Sequence, residues 1–107
     1  MFEHKKKLGQ NFLTNKEIIK KIADIANVNK NTNIIEIGPG SGNLTKELIK
    51  KNPKEIYAIE FDKDLTNYLE KIKNNFKNFN YTISDALTFD EKSIFKKNSI
   101  IFGNLPY

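Results

Sequence analysis

The chain alternates between short β-branched runs and longer stretches where apolar residues recur every three or four positions. Ile34, Ile35 and Ile37 form one run, Glu55–Glu60 a second, Asn80–Ile83 a third and Ile100–Phe102 a fourth. Runs of this length and composition suit strands buried in a parallel sheet. Between them the period becomes helical. Thr14 and Glu17 have capping-box spacing ahead of Ile18, Ile22 and Ile25, which predicts a helix with those isoleucines on one face and a last turn reaching Asn27. Leu44, Leu48 and Ile49 predict a second helix from about Asn43 to Lys51, stopped before Pro53. Asp62 or Asp64 caps a third, which carries Leu65, Leu69, Ile72 and Phe76. Phe89–Phe95 reads as a short helix or loop, and Phe12, Phe61, Phe79 and Phe102 are assigned to packing. A helix followed by β-α-β-α-β-(α)-β predicts a doubly wound α/β sheet.

Composition narrows the class without choosing a function. At 107 residues the chain is one domain or part of one, and a chain of that size buries roughly two-thirds of its unfolded surface. There is no Cys, so no disulfide framework, and no apolar stretch of bilayer-spanning length. Met1–Lys7 lacks the apolar core of a signal peptide, which points to the cytoplasm. All 18 basic residues are Lys and 15 residues are Asn, a bias that suits an AT-rich genome better than a functional choice. Residues 1–51 hold 10 Lys against 5 acids, and residues 52–107 hold 8 against 8, so the net charge of +5 sits in the first half. Lys5, Lys6 and Lys7 are either a solvated basic tail or contacts for RNA phosphates. The lone histidine, His4, is near the N-terminus, and the carboxylates show no metal-ligand spacing.

The candidate chemistry lies where the strands end. Gly38, Gly40 and Gly42 follow the first strand directly, as a G-x-G-x-G loop leading into a helix. Glycines there serve either a tight strand-to-helix turn or close approach of the backbone to a ligand. Glu60 closes the second strand, 22 residues past Gly38. An acid at about that distance accepts ribose hydroxyls in Rossmann-type folds, and otherwise is an exposed strand end or caps the next helix. Asp85 follows the third strand, either as a turn residue or helix cap or as an acceptor for an adenine-type amine. Asn104-Leu105-Pro106-Tyr107 follows the fourth. It reads as a strand ending in a proline turn, or as a grip on a flat, amine-bearing base. In the second reading Asn104 and the Leu105 carbonyl accept the amine, Pro106 frees that carbonyl from the ladder, and Tyr107 stacks. Open α/β sheets bind ligands outside the carboxyl ends of their strands, so one topology would gather all four groups.

In sequence, these motifs resemble the ribosomal RNA adenine N6-dimethyltransferase family. Lys7–Leu13 resembles its N-terminal cofactor segment, Glu36–Thr45 its glycine loop, Ala58–Asp62 and Asp85–Leu87 the next two motifs, and Asn104–Tyr107 its catalytic motif. Gly9, Pro39 and Leu105 favour the housekeeping branch acting on small-subunit RNA over the macrolide-resistance branch acting on large-subunit RNA.

The resemblance implies a Rossmann-like class I S-adenosylmethionine-dependent methyltransferase fold, truncated after its fourth strand. It implies S-adenosylmethionine as cofactor, held by Asn11, Leu13, Gly38, Glu60, Asp85 and Asn104, with catalysis at Asn104, Leu105, Pro106 and Tyr107. The implied partner is ribosomal RNA of the small subunit and the implied process ribosome biogenesis. No obligate protein partner, membrane contact or metal is expected. Residues 1–107 then form the N-terminal part of a catalytic domain. Further strands and a C-terminal helical RNA-binding domain are expected to follow, and these residues alone to be inactive and prone to aggregate. The alternatives are an adenine or amide N-methyltransferase acting on DNA or protein, a non-catalytic RNA-binding relative and, more distantly, a dehydrogenase.

Overall fold

A computed structural model describes residues 16–40, 42–85 and 99–103. The described order is α1 (Lys16–Ile25), β1 (Asn33–Ile37), α2 (Asn43–Lys50), β2 (Glu55–Glu60), a 3-10 turn (Lys63–Leu65), α3 (Thr66–Asn75), β3 (Phe79–Ile83) and β4 (Ser99–Gly103). All strand pairs are parallel and the sheet order is β3-β2-β1-β4. The order reverses at β1: the chain steps outward to β2 and β3, then returns to the other side of β1.

Strand alternation and register define the core. Ile34 pairs with Ile56, and Ile56 with Phe79, so these residues share one sheet face. Ile19 and Ala23 of α1, Leu44 and Leu48 of α2, and Leu69 and Ile72 of α3 pack against that face in a single buried cluster. Ile35 and Ile59 are buried on the opposite face. The strand runs expected from the sequence are therefore present, each within a residue or so of its expected ends.

Two side-chain assignments need correction. The inner face of α1 carries Ile19, Ile22 and Ala23, whereas Ile25 is 83% exposed. Two apolar stripes overlap in this helix, and burial follows the one containing the small Ala23, beside α2. Asn27 then takes a left-handed turn (φ 54°), so the helix stops at Ile25, short of the expected end. Phe61 is the second correction. It is 75% exposed and outside the core, because it follows the last residue of β2 and leaves the sheet. Phe79 is fully buried and Phe102 packs against the core, as expected. The expected helix or loop at Phe89–Phe95 lies outside the described residues, as do Thr14 and Phe12.

The remaining boundaries have local causes. Lys51 caps α2, Asn52 is left-handed (φ 55°), and buried Pro53 blocks continuation. Asp62 caps the 3-10 turn by accepting from the Asp64 amide at 2.9 Å, and α3 follows. Lys51 and Asp24 form an exposed ion pair between α2 and α1.

Candidate functional site

The glycine loop grows directly from the sheet. The Gly38 amide donates to Ile59 O at 2.8 Å, which extends the β1–β2 ladder by one step. Gly38, Gly40 and Gly42 all have positive φ, at 69°, 54° and 77°. At Gly42 the missing side chain also matters sterically, because a Cβ would lie 2.9 Å from the Tyr68 hydroxyl and 3.3 Å from Ile72 Cδ1. Gly42 is the N-cap of α2 without a side-chain cap, and its carbonyl accepts from the Lys46 amide at 2.9 Å. The loop is thus pressed onto α3 by backbone that only glycine adopts easily.

Glu60 joins that loop from the neighbouring strand. Its Oε1 accepts from the Gly40 amide at 3.2 Å and its Oε2 from the Asp62 amide at 3.0 Å. The residue is only 6% exposed. An ionised carboxyl has about four acceptor positions, so acceptor capacity remains beyond these two amides. Phe61, directly after it, presents an exposed ring at the same edge. From sequence alone Phe61 is assigned to packing. Its position just beyond a strand-closing acid was the signal that it leaves the core.

The two other loops start from the same edge. The Ser84 amide donates to Glu60 O at 2.8 Å, which carries the ladder to the residue before Asp85. Asp85 is partly buried. Gly103, the last residue of β4, pairs with Ile37, the last residue of β1. Gly38, Glu60, Asp85 and the end of β4 therefore share the carboxyl edge around the reversal point. Asn11, Leu13, Asn104, Leu105, Pro106, Tyr107 and Lys5, Lys6 and Lys7 lie outside the described residues.

Beneath the loop is a residue that the sequence reading named only as part of a motif. Glu36 of β1 is 2% exposed and accepts from the Thr45 hydroxyl of α2 at 2.5 Å. Burial raises its pKa from 4.5 to about 7; the Thr45 hydrogen bond opposes the rise and the Glu60 charge adds to it. A charged residue inside an apolar run, on the same strand face as Ile34, was the available signal.

A cleft of about 430 Å³ lies elsewhere, lined by Asn27, Asn29, Asn31, Thr32 and Ser99 at the amino ends of β1 and β4. Amino-end clefts do not collect strand-end loops, so the carboxyl edge remains the candidate site. Among the described residues no group of His, Cys, Asp or Glu is placed to hold a metal ion. No described helix is long and apolar enough to cross a membrane.

A parallel sheet reversing at β1, with a glycine loop after that strand and an acid closing the next, defines a Rossmann-like α/β domain of the class I methyltransferase type. The chain matches the ribosomal RNA adenine dimethylase family over residues 1–107, and it belongs to that family. Among curated relatives, it is 46% identical over 103 residues to ribosomal RNA small subunit methyltransferase A of Prochlorococcus marinus (strain AS9601), covering 96% of this chain and 38% of that protein. The Fusobacterium nucleatum protein of the same name is 42% identical over 107 residues, covering 99% of this chain and 40% of its own length. The chain thus spans about two-fifths of these relatives. A solved dimethyladenosine transferase from Plasmodium falciparum superposes with a TM-score of 0.71 at 27% identity, over 85% of this chain and 32% of that one. The 23S rRNA methyltransferase ErmE gives 0.62 at 28% identity, over 69% of this chain and 30% of its own.

Proposed function

We propose that this chain is the N-terminal part of the catalytic domain of an enzyme that dimethylates adenosine N6 in small-subunit ribosomal RNA. The methyl donor is S-adenosylmethionine, and the reaction belongs to ribosome biogenesis in the cytoplasm. The observation that carries this reading is the meeting of the glycine loop with Glu60 at the sheet's reversal point, with the Gly40 amide on Glu60 Oε1. Identity of 42–46% to small-subunit methyltransferases supports the choice of RNA.

The residues divide the work. Glu60 accepts the donor's ribose hydroxyls, Gly38 lets the backbone approach it, and Asp85 accepts from its adenine amine. Asn11 and Leu13 complete this side by family resemblance. Phe61 covers the adenine face with its exposed ring. When bound, the donor supplies an electrophilic methyl group on a sulfonium, so the protein's task is alignment. Asn104 and the Leu105 carbonyl hold the target amine, whose lone pair is otherwise delocalised into the ring. Pro106 fixes that turn and Tyr107 stacks on the unstacked base. Lys5, Lys6 and Lys7 neutralise RNA phosphates.

The test is methyl transfer by the intact protein to small-subunit RNA, large-subunit RNA, duplex DNA and protein, with Asn104→Ala alongside. Small-subunit RNA is the expected acceptor, and the variant is expected to bind donor yet transfer no methyl group. Transfer only to another substrate, or undiminished transfer by Asn104→Ala, would overturn the reading.

A further inference from the structure

Glu36 is a core position occupied by an acid. Its neighbours in register are uncharged: Ala58 on β2 and Phe102 on β4. From α2 it receives the Thr45 hydroxyl, while the Lys46 ammonium lies over the Tyr68 ring, 5.7 Å from its centroid. The charge that acts on it is Glu60, also negative, on the same sheet face. No ion pair engages Glu36 among the described residues. A buried carboxyl with no cation nearby gives up its proton reluctantly. An apolar residue would fill this position without that difficulty.

Gly38 begins the candidate donor loop two residues further along, so Glu36 lies beneath the place where a donor would bind. The donor and its spent form share an ammonium and a carboxylate. They differ by one charge, the sulfonium, which becomes a neutral thioether when the methyl group leaves.

We propose that Glu36 is a charge-sensing residue of the donor site, held ionised beneath the cationic donor and released to its resting protonation beneath the neutral product, so that it favours donor over product. This rests on the reading above that the site takes a sulfonium donor. On donor binding the Glu36 proton passes to solvent and the carboxylate faces a new positive charge. After transfer that charge is gone, and Glu36 returns to its resting state, taking back from solvent whatever proton it had released. The net +1 of the donor is thereby matched only while it is useful, and the spent form is held less tightly. Burial sets the resting state, pushing the Glu36 carboxyl up to about 7. Thr45 tunes it, because its hydroxyl donates to the ionised form.

The experiment is calorimetric titration of the intact protein with S-adenosylmethionine and S-adenosylhomocysteine, at about pH 6 and about pH 8. Two buffers of different ionisation heat report the protons exchanged. Linkage gives donor affinity about tenfold weaker at the lower pH, with about one proton released there and almost none at the higher pH. Product affinity should change less than about threefold over the same interval, since product binding does not displace the proton. Glu36→Gln should lose both the proton release and the difference between ligands. Thr45→Val, which keeps the carboxyl but removes its donor, should shift the midpoint of the donor profile to higher pH. Donor binding by the wild type with no proton release, at unchanged affinity, would overturn the inference and leave the donor reading intact. Failure of the donor to bind at either pH would overturn both.

Discussion

Glu60 and Gly40 lie 20 residues apart in sequence and meet at 3.2 Å, the carboxylate that closes β2 accepting from an amide of the loop that follows β1. The contact shapes the loop and holds an acceptor beside it. It also explains why an acid suits the place, since both carboxylate oxygens accept from backbone amides, and a glutamine would set its amide NH2 against one of those N–H donors. If Glu60 accepts the donor's ribose hydroxyls, Glu60→Ala removes the loop contact and that acceptor together. Hydrogen bonds to charged groups contribute about 1.5–3 kcal/mol each, so donor affinity should fall on the order of 100-fold. Equilibrium binding checks this, and an affinity within about twofold of wild type would remove Glu60 from the donor site.

Gly42 and Gly40 separate backbone strain from steric conflict. Both have positive φ, but a Cβ at Gly42 would meet the Tyr68 hydroxyl at 2.9 Å, whereas at Gly40 the nearest atom is Gly38 O at 3.8 Å. Gly40→Ala should destabilise by about 1 kcal/mol, from backbone conformation alone. Gly42→Ala should cost about 2–3 kcal/mol, because Tyr68 must also move. Denaturant unfolding of both variants checks the order. Equal losses would mean that the Tyr68 contact is not limiting.

How far the sequence could be read follows from which residues answer to local rules. Ile34, Ile35 and Ile37 specify β1 by composition, and the Asn52-Pro53 pair ends α2 by backbone chemistry, so those elements were legible. Leu65, Leu69, Ile72 and Phe76 mark the inner face of α3 because only one apolar stripe runs along it. In α1 two stripes compete, and the choice between Ile25 and Ala23 is made by α2, which no local pattern encodes. The site divides in the same way. Gly38 and Glu60 announce themselves by spacing. Phe61 and Glu36 do not, since an aromatic after a strand and a carboxylate within one acquire meaning only through exposure and burial.

Phe61 gives a prediction distinct from that of Glu60. A ring 75% exposed at the lip of the site contributes little to folding, so Phe61→Ala should leave the unfolding midpoint nearly unchanged. If the ring covers the donor's adenine, the same variant should weaken donor binding by roughly tenfold, the effect of losing a stacking contact of about 0.5–1.5 kcal/mol together with some apolar cover. Parallel thermal and binding measurements decide it. A large loss of stability with unchanged affinity would return Phe61 to a packing role.

Glu36 makes the fold itself sensitive to pH, with a sign opposite to that of a salt-bridged acid. Its pKa rises from 4.5 unfolded to about 7 folded. The folded state therefore holds a proton that the unfolded chain has released between those values. Its stabilising contribution is fully present below about pH 4.5 and is lost as pH rises through about 7. At 1.36 kcal/mol per pKa unit the loss is roughly 3 kcal/mol. The measurable quantity is the difference from Glu36→Gln, whose amide does not ionise, because contributions of all other groups cancel in it. The wild type should become progressively less stable than this variant in urea unfolding as pH rises from about 4.5 to about 7, and the gap should stay constant above about 8. Parallel stability curves across the whole range would show that folding leaves the Glu36 pKa unshifted, and would overturn the prediction.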